Sequence, residues 1–162
     1  VSLEGRADLH AIVVSGRRVY AFDALSGKLL RSRDTGTTWA STSVPPIVDM
    51  AIDPAQPNRL VASTEMGLIV SSDGGRGFKP LVRLPPSHLE WDGEGILAVG
   101  EDRVAQRIDK DLRTINQVGT ASIVPAAMTL SDRGPLLAAD DGAVYASSDQ
   151  GRTWSRVLSA IR

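Results

Sequence analysis

The chain holds only two histidines, the side chains that titrate nearest neutral pH. Both, His10 and His88, fall where an inner strand begins, and Asp49 takes the same place in a third segment. Imidazoles and a carboxylate brought together in a channel could hold a metal ion or orient a polar ligand. Polar residues hydrated in a solvent-filled channel are the plainer reading of the same three. A second set of carboxylates sits in short turns: Asp23, Glu65, Glu101 with Asp102, and Asp140 with Asp141. If these turns share one face, the carboxylates could attract a cation or a basic partner, and a desolvated one with a raised pKa could act in an acid/base pair. Asp-Asp-Gly and Glu-Met-Gly are also ordinary hairpin turns.

Other chemistry is thinly supplied. The absence of Cys removes disulfides, thiolate metal sites and a Cys nucleophile, so zinc would need His and carboxylates alone. There is no Gly-x-Ser-x-Gly elbow, no His-Glu-x-x-His and no phosphate-binding Gly-x-x-x-x-Gly-Lys. No catalytic residue is therefore named, and neither a resident metal nor a cofactor is expected. The 18 Lys and Arg against 19 Asp and Glu leave no overall excess to drive binding to nucleic acid or anionic lipid. No apolar stretch approaches the roughly 20 residues that span a bilayer, so membrane insertion is not expected. The opening residues carry no basic-then-apolar signal pattern, and the start at Val1 suggests an excerpt or a processed product.

The elements that must position these residues appear through a repeat. Ser32-Arg33-Asp34-Thr35-Gly36-Thr37-Thr38-Trp39, Ser71-Ser72-Asp73-Gly74-Gly75-Arg76-Gly77-Phe78 and Ser147-Ser148-Asp149-Gln150-Gly151-Arg152-Thr153-Trp154 share Ser-x-Asp-x-Gly-x-(Thr/Gly)-aromatic. Asp34 and Asp73 are 39 residues apart, and Asp73 and Asp149 are 76 apart, which is two steps of 38. A fourth copy is expected at Asp111, in a stretch (Asp109 to Asn116) that has lost the glycine and the aromatic. Asp and Ser side chains bond nearby backbone N–H groups, and Gly accepts a positive φ, so each motif reads as a structural hairpin turn followed by a packed aromatic.

Around the motifs the pattern predicts short strands. In the second unit these are Val48 to Ile52, Arg59 to Thr64, Leu68 to Ser71 and Phe78 to Leu84. The first unit repeats this over Ala11 to Val14, Arg18 to Phe22, Leu29 to Ser32 and Thr38 to Thr42. The fourth does so over Ala127 to Leu130, Leu136 to Ala139, Val144 to Ser147 and Thr153 to Leu158. Four antiparallel strands per unit, repeated radially, give an all-β propeller with four blades at about 8–46, 47–86, 87–122 and 123–162.

The motifs resemble those of Asp-box (BNR) repeat proteins, a group that includes sialidases and sortilin-type propellers. His10-Ala11-Ile12, Val19 to Gly27 and Asp53 to Glu65 resemble a family of exported actinobacterial propellers that carry a glycosyl-hydrolase label. The resemblance implies a propeller fold, an extracytoplasmic place as an exported or lipid-anchored protein, and a sugar-related ligand. A sialidase would further require three arginines on a carboxylate, a Tyr paired with Glu, and an Asp acid. Tyr20 and Tyr145 both lie in strand patterns where an aromatic packs, and neither has an evident Glu partner. Arg76 and Arg152 belong to the motifs, and others are read as lying in turns.

Two functions stay open: a non-catalytic recognition or scaffold propeller that binds a protein or glycan through one loop face, or a glycoside hydrolase or part of one. The channel set His10, Asp49 and His88 and the turn set Glu65, Glu101 and Asp140 are the candidate ligand-binding residues. Four blades lie at the small end of the propeller range, so a place in a larger propeller is expected, with self-association if blades lack a neighbour.

Overall fold

The computed structural model describes residues 3–159, so the last residues of the fourth unit, 160–162, and the Val1 start lie outside the described residues. The chain is all-β, with no helix among the described residues. Sixteen strands form four antiparallel four-stranded sheets, the blades of a β-propeller, each following chain order. The first sheet is β1 (Leu9–Ser15), β2 (Arg18–Asp23), β3 (Lys28–Ser32) and β4 (Ala40–Ser43). The second is β5 (Ile47–Ile52), β6 (Leu60–Thr64), β7 (Gly67–Ser71) and β8 (Lys79–Val82). The third is β9 (Ser87–Trp91), β10 (Gly95–Gly100), β11 (Val104–Asp109) and β12 (Ile115–Thr120). The fourth is β13 (Ala127–Ser131), β14 (Gly134–Ala138), β15 (Val144–Ala146) and β16 (Ser155–Leu158).

The chain divides into two compact units, Val1–Pro86 and Ser87–Arg162, of two sheets each. In unit 1 the core joins Tyr20, Phe22 and Leu29 of the first sheet to Ile47, Met50, Leu60 and Ala62 of the second. In unit 2 it joins Leu97, Val99 and Ala105 of the third sheet to Leu137 of the fourth, with Met128, Tyr145 and Trp154 packed against it. Successive strand residues point to opposite faces. Strands β6 and β10 are buried along their whole length, so both faces are covered, and that is why they read as unbroken apolar or small runs. Strand β16 is exposed throughout.

The ladders fix what each inner-strand candidate faces. His10 faces Phe22, Asp49 faces Ser63, His88 faces Val99 and Ala127 faces Ala138. Counted from the residue opposite the end of each third strand, Phe22 and Ser63 stand three residues on, Val99 four and Ala138 two. Tyr20 is buried in β2, and Tyr145 packs against the core of unit 2 from β15, as expected of aromatics in strands. Outer strands begin later than the sequence pattern predicts, at Ala40, Lys79 and Ser155. The reason is local: the N–H groups of Thr38, Gly77 and Thr153 are held by the turn aspartates and are not available to a ladder.

Candidate functional site

The Ser-x-Asp turns were the strongest signal in the sequence, and their geometry repeats closely. Ser32 Oγ donates to Asp34 at 2.8 Å and accepts from Gly36 N at 2.8 Å. Ser71 and Ser147 do the same, donating to Asp73 and Asp149 and accepting from Gly75 and Gly151. Each carboxylate then accepts the N–H four residues on, from Thr38, Gly77 or Thr153, at 2.8, 3.1 and 2.9 Å. Thr38 and Thr153 add a hydroxyl donor, at 2.7 and 2.6 Å.

These bonds favour the ionised form. The backbone N–H and hydroxyl of Thr38 hold the Asp34 carboxyl down to about 2. The hydroxyl and N–H of Thr153 hold Asp149 at about 2. The Ser71 hydroxyl, followed by Gly77 N, lowers Asp73. A carboxyl held this low carries no proton to donate near neutrality, and its oxygens are already occupied.

The fourth copy departs from expectation. The carboxylate that ties the turn is Asp109, which accepts Arg113 N at 2.7 Å, while Asp111 is exposed. That bond lowers the Asp109 pKa. Asp109 is the last residue of β11, so the turn closes two residues earlier than a count of 38 predicts.

The channel candidates do not form a metal site: among the described residues, no group of three or more His, Asp or Glu side chains is arranged to hold an ion. In unit 1, His10 is exposed and its Nε2 lies 3.2 Å from Asp8 Oδ1. Asp49 accepts the N–H of Met50 at 2.8 Å beside a bulge in β5. In unit 2, His88 is partly buried on β9.

The turn carboxylates have separate fates. Asp23, buried, accepts from Ser26 Oγ, Asp8 N and Leu25 N, and those bonds lower its pKa. Asp102 and Asp141 cap their own turns through Val104 N and Ala143 N. Glu65, Glu101 and Asp140 are exposed.

Glu65 has a neighbouring feature that the sequence reading missed. Beside the β6–β7 turn lies a mainly apolar cleft of about 420 Å³, lined by Pro45, Met66, Phe78 and Val82 with Lys79 and Arg83. A second hollow of about 420 Å³ shares Met66 and Arg83 and includes Glu65. Met66 is 75% exposed at its rim. The available signal was Met66 itself, a long apolar side chain in a hairpin turn. Arg18 and Arg31 lie on β2 and β3, within the strands that the pattern of the first unit predicts.

No protein-family model matches the chain, and no curated protein matches its sequence. Solved structures do resemble it. A structure described as YCF48 bound to D1 peptide matches with a TM-score of 0.72 at 13% identity, over 94% of this chain and 55% of that one. The GH74 enzyme of Niastella koreensis matches with a TM-score of 0.73 at 16% identity, over 93% of this chain and 30% of that one. A chain of a nidogen/laminin complex matches with a TM-score of 0.75 at 11% identity, over 95% of this chain and 66% of that one. This chain thus spans less than two thirds of each. At such identities the likeness shows the propeller fold, on which both binding proteins and an enzyme are built.

Proposed function

We propose that this chain is a recognition propeller without catalysis, of the Asp-box kind, which binds an extended protein segment at the β6–β7 turn. The cleft beside Met66 carries this reading: it offers apolar lining for side chains, with Lys79 and Arg83 for acidic groups at its edge. Exposed apolar side chains rimmed by charge are the usual anatomy of a protein-binding patch. The peptide and protein complexes among the similar folds agree with a protein ligand. A glycan remains the alternative ligand, and an extracytoplasmic place follows from the family resemblance alone. Exposed Ile12 and Val14 on β1 support self-association as a further property.

The hydrolase reading needs two carboxyls in one cleft, roughly 5 to 10 Å apart, one of them protonated. Glu94 and Asp109 do line one cleft in unit 2, but the Arg113 N–H holds Asp109 in its ionised form. Selection from a displayed peptide library tests the proposal. Selected peptides should combine apolar and acidic residues, and Met66→Asp should weaken them about tenfold or more. Sustained turnover of chromogenic glycosides, or peptides indifferent to Met66→Asp, would overturn it.

A further inference from the structure

Unit 1 contains a second cleft, of about 190 Å³, lined by Tyr20, Arg31, Arg33, Trp39 and Gly74. Strand register explains its charge. Tyr20 on β2 pairs across the ladder with Arg31 on β3. Arg18 precedes Tyr20 by two residues in β2, which puts it on the same face. Arg33 follows in the turn, and Arg76 comes from the turn of the second sheet, two residues past Gly74. The charges of Arg18, Arg33, Arg31 and Arg76 all act on the Tyr20 hydroxyl, where they oppose the larger, pKa-raising effect of burial.

None of these four arginines is paired with a carboxylate among the described residues. The Nε atoms of Arg18 and Arg31 are buried without a hydrogen-bond partner. The Arg76 side chain bonds the backbone oxygen of Asp73 at 3.4 Å, and its charge also acts on the Asp73 carboxylate. The turn carboxylates adjoining Arg33 and Arg76 in the chain, Asp34 and Asp73, are folded into their own turns.

Unit 2 builds the same place with the charge cancelled. Leu97 pairs with Arg107 there, as Tyr20 pairs with Arg31. A Cβ on Gly151 would meet Leu97, as one on Gly75 would meet Tyr20. The cleft at this position is lined by Glu94, Arg107, Asp109, Gln150 and Arg152. By register Asp109 stands where unit 1 has Arg33, and Gly95, with Glu94 before it, where unit 1 has Arg18. Arg107 Nη1 is 2.5 Å from Asp92, and Gln150 bonds Glu94 at 3.3 Å. The protein supplies its own counter-charges in one unit and withholds them in the other.

Guanidinium groups gathered without carboxylates repel one another, and an oxyanion relieves this while matching their planar fork of donors. Four arginines against the two turn carboxylates leave a surplus of about two charges, which fits a phosphate monoester at about −1.5 to −2 better than a singly charged carboxylate. The small volume and the Trp39 wall suit a compact organic body. We propose that unit 1 binds a small phosphorylated ligand of the sugar-phosphate class, its phosphate held among Arg18, Arg31, Arg33 and Arg76 and its organic part against Trp39. This site is separate from the Met66 cleft, and the two readings stand independently.

Calorimetric titration at constant ionic strength tests it, with glucose 6-phosphate, inorganic phosphate, glucose and a phosphoserine peptide as probes. Glucose 6-phosphate should bind, inorganic phosphate should bind more weakly, and glucose should give no heat. Arg33→Asp, which installs the unit 2 residue type on an exposed turn, should weaken glucose 6-phosphate about tenfold or more. Arg76→Asp provides a second exposed variant with the same expectation, and Met66→Asp should leave this binding unchanged. The proposal fails if glucose 6-phosphate does not saturate below about 10 mM, or if both Arg variants bind it normally. Binding of the phosphoserine peptide alone would also overturn it, in favour of a phosphorylated protein. Equal affinity for inorganic phosphate would remove the role given to Trp39.

Discussion

At Asp34 the Thr38 N–H and hydroxyl and the Ser32 hydroxyl all point at one carboxylate, and together they hold its pKa at about 2 against an ordinary 3.8. Asp149 is held equally low by Thr153 and Ser147. The unfolded chain loses these donors and binds protons more readily in acid. The stability these groups contribute is therefore fully present above pH 3.8 and is lost as pH falls through about 2. Urea midpoints should stay level from about pH 7 to about pH 5 and then fall steeply between about pH 4 and pH 2. Replacing both residues, as Asp34→Asn with Asp149→Asn, should flatten the acid limb. A decline already complete by about pH 5 would assign acid sensitivity to other groups. The turns were legible in the sequence because all their bonds lie within a few residues of one another. Asp109 was not, because a period counts residues and cannot register that a turn has closed early.

Between elements, the motif glycines do different work. Gly36, Gly75 and Gly151 all have positive φ, at 84°, 77° and 92°. A Cβ on Gly75 would sit 2.8 Å from Leu29 Cδ2, and one on Gly151 2.8 Å from Leu97 Cδ1, whereas on Gly36 the nearest atom is Trp39 Cζ2 at 3.4 Å. Gly36→Ala should cost about 1 kcal/mol from backbone strain, and Gly75→Ala and Gly151→Ala about 2 to 3 kcal/mol because a core leucine must also move. Equal losses in urea denaturation would mean that only backbone strain matters. The connection between β5 and β6 depends on a different tie: buried Asp53 accepts Arg59 Nη2 at 2.5 Å and Nε at 2.8 Å, with Ala55 N and Gln56 N on its other oxygen. Asp53→Asn should cost about 3 kcal/mol in the same measurement, since it leaves a half-buried guanidinium without its charge partner. Alternating apolar residues and turn signals made the strands readable. The arginine cleft was not readable, because it exists only once Tyr20 is set opposite Arg31, and pairing register is a property of two strands together.

Across the whole chain, a formal charge of −1 conceals an uneven distribution. Arg18, Arg31, Arg33 and Arg76 act together on Tyr20 in unit 1 with no ion pair among the described residues, while Arg107 at the corresponding place in unit 2 is paired with Asp92. A composition count sees only the sum, so near-neutrality says nothing of a local anion site. Exposed apolar residues tell a similar story at this scale. Ile12 and Val14 are 53% and 62% exposed on β1, a strand whose alternate residues pack inward. Light scattering should give a mass that rises with concentration above 17.2 kDa, and Ile12→Thr with Val14→Thr should suppress the rise. A constant monomer mass for the unaltered chain would show that this patch has no partner of its own kind.

The local closure of the Ser-x-Asp turns also bears on the order in which the chain folds. Each tie spans at most four residues, so it can form on the microsecond scale of an isolated hairpin, before any sheet finds its neighbour. With the Asp109–Arg113 tie of the third sheet, all four third-to-outer strand connections carry such a local closure, and the slower step is left to the long-range docking of sheet on sheet. A repeat protein built this way carries its nucleation sites inside each repeat, which lets repeats be added or lost without redesigning how the chain begins to fold.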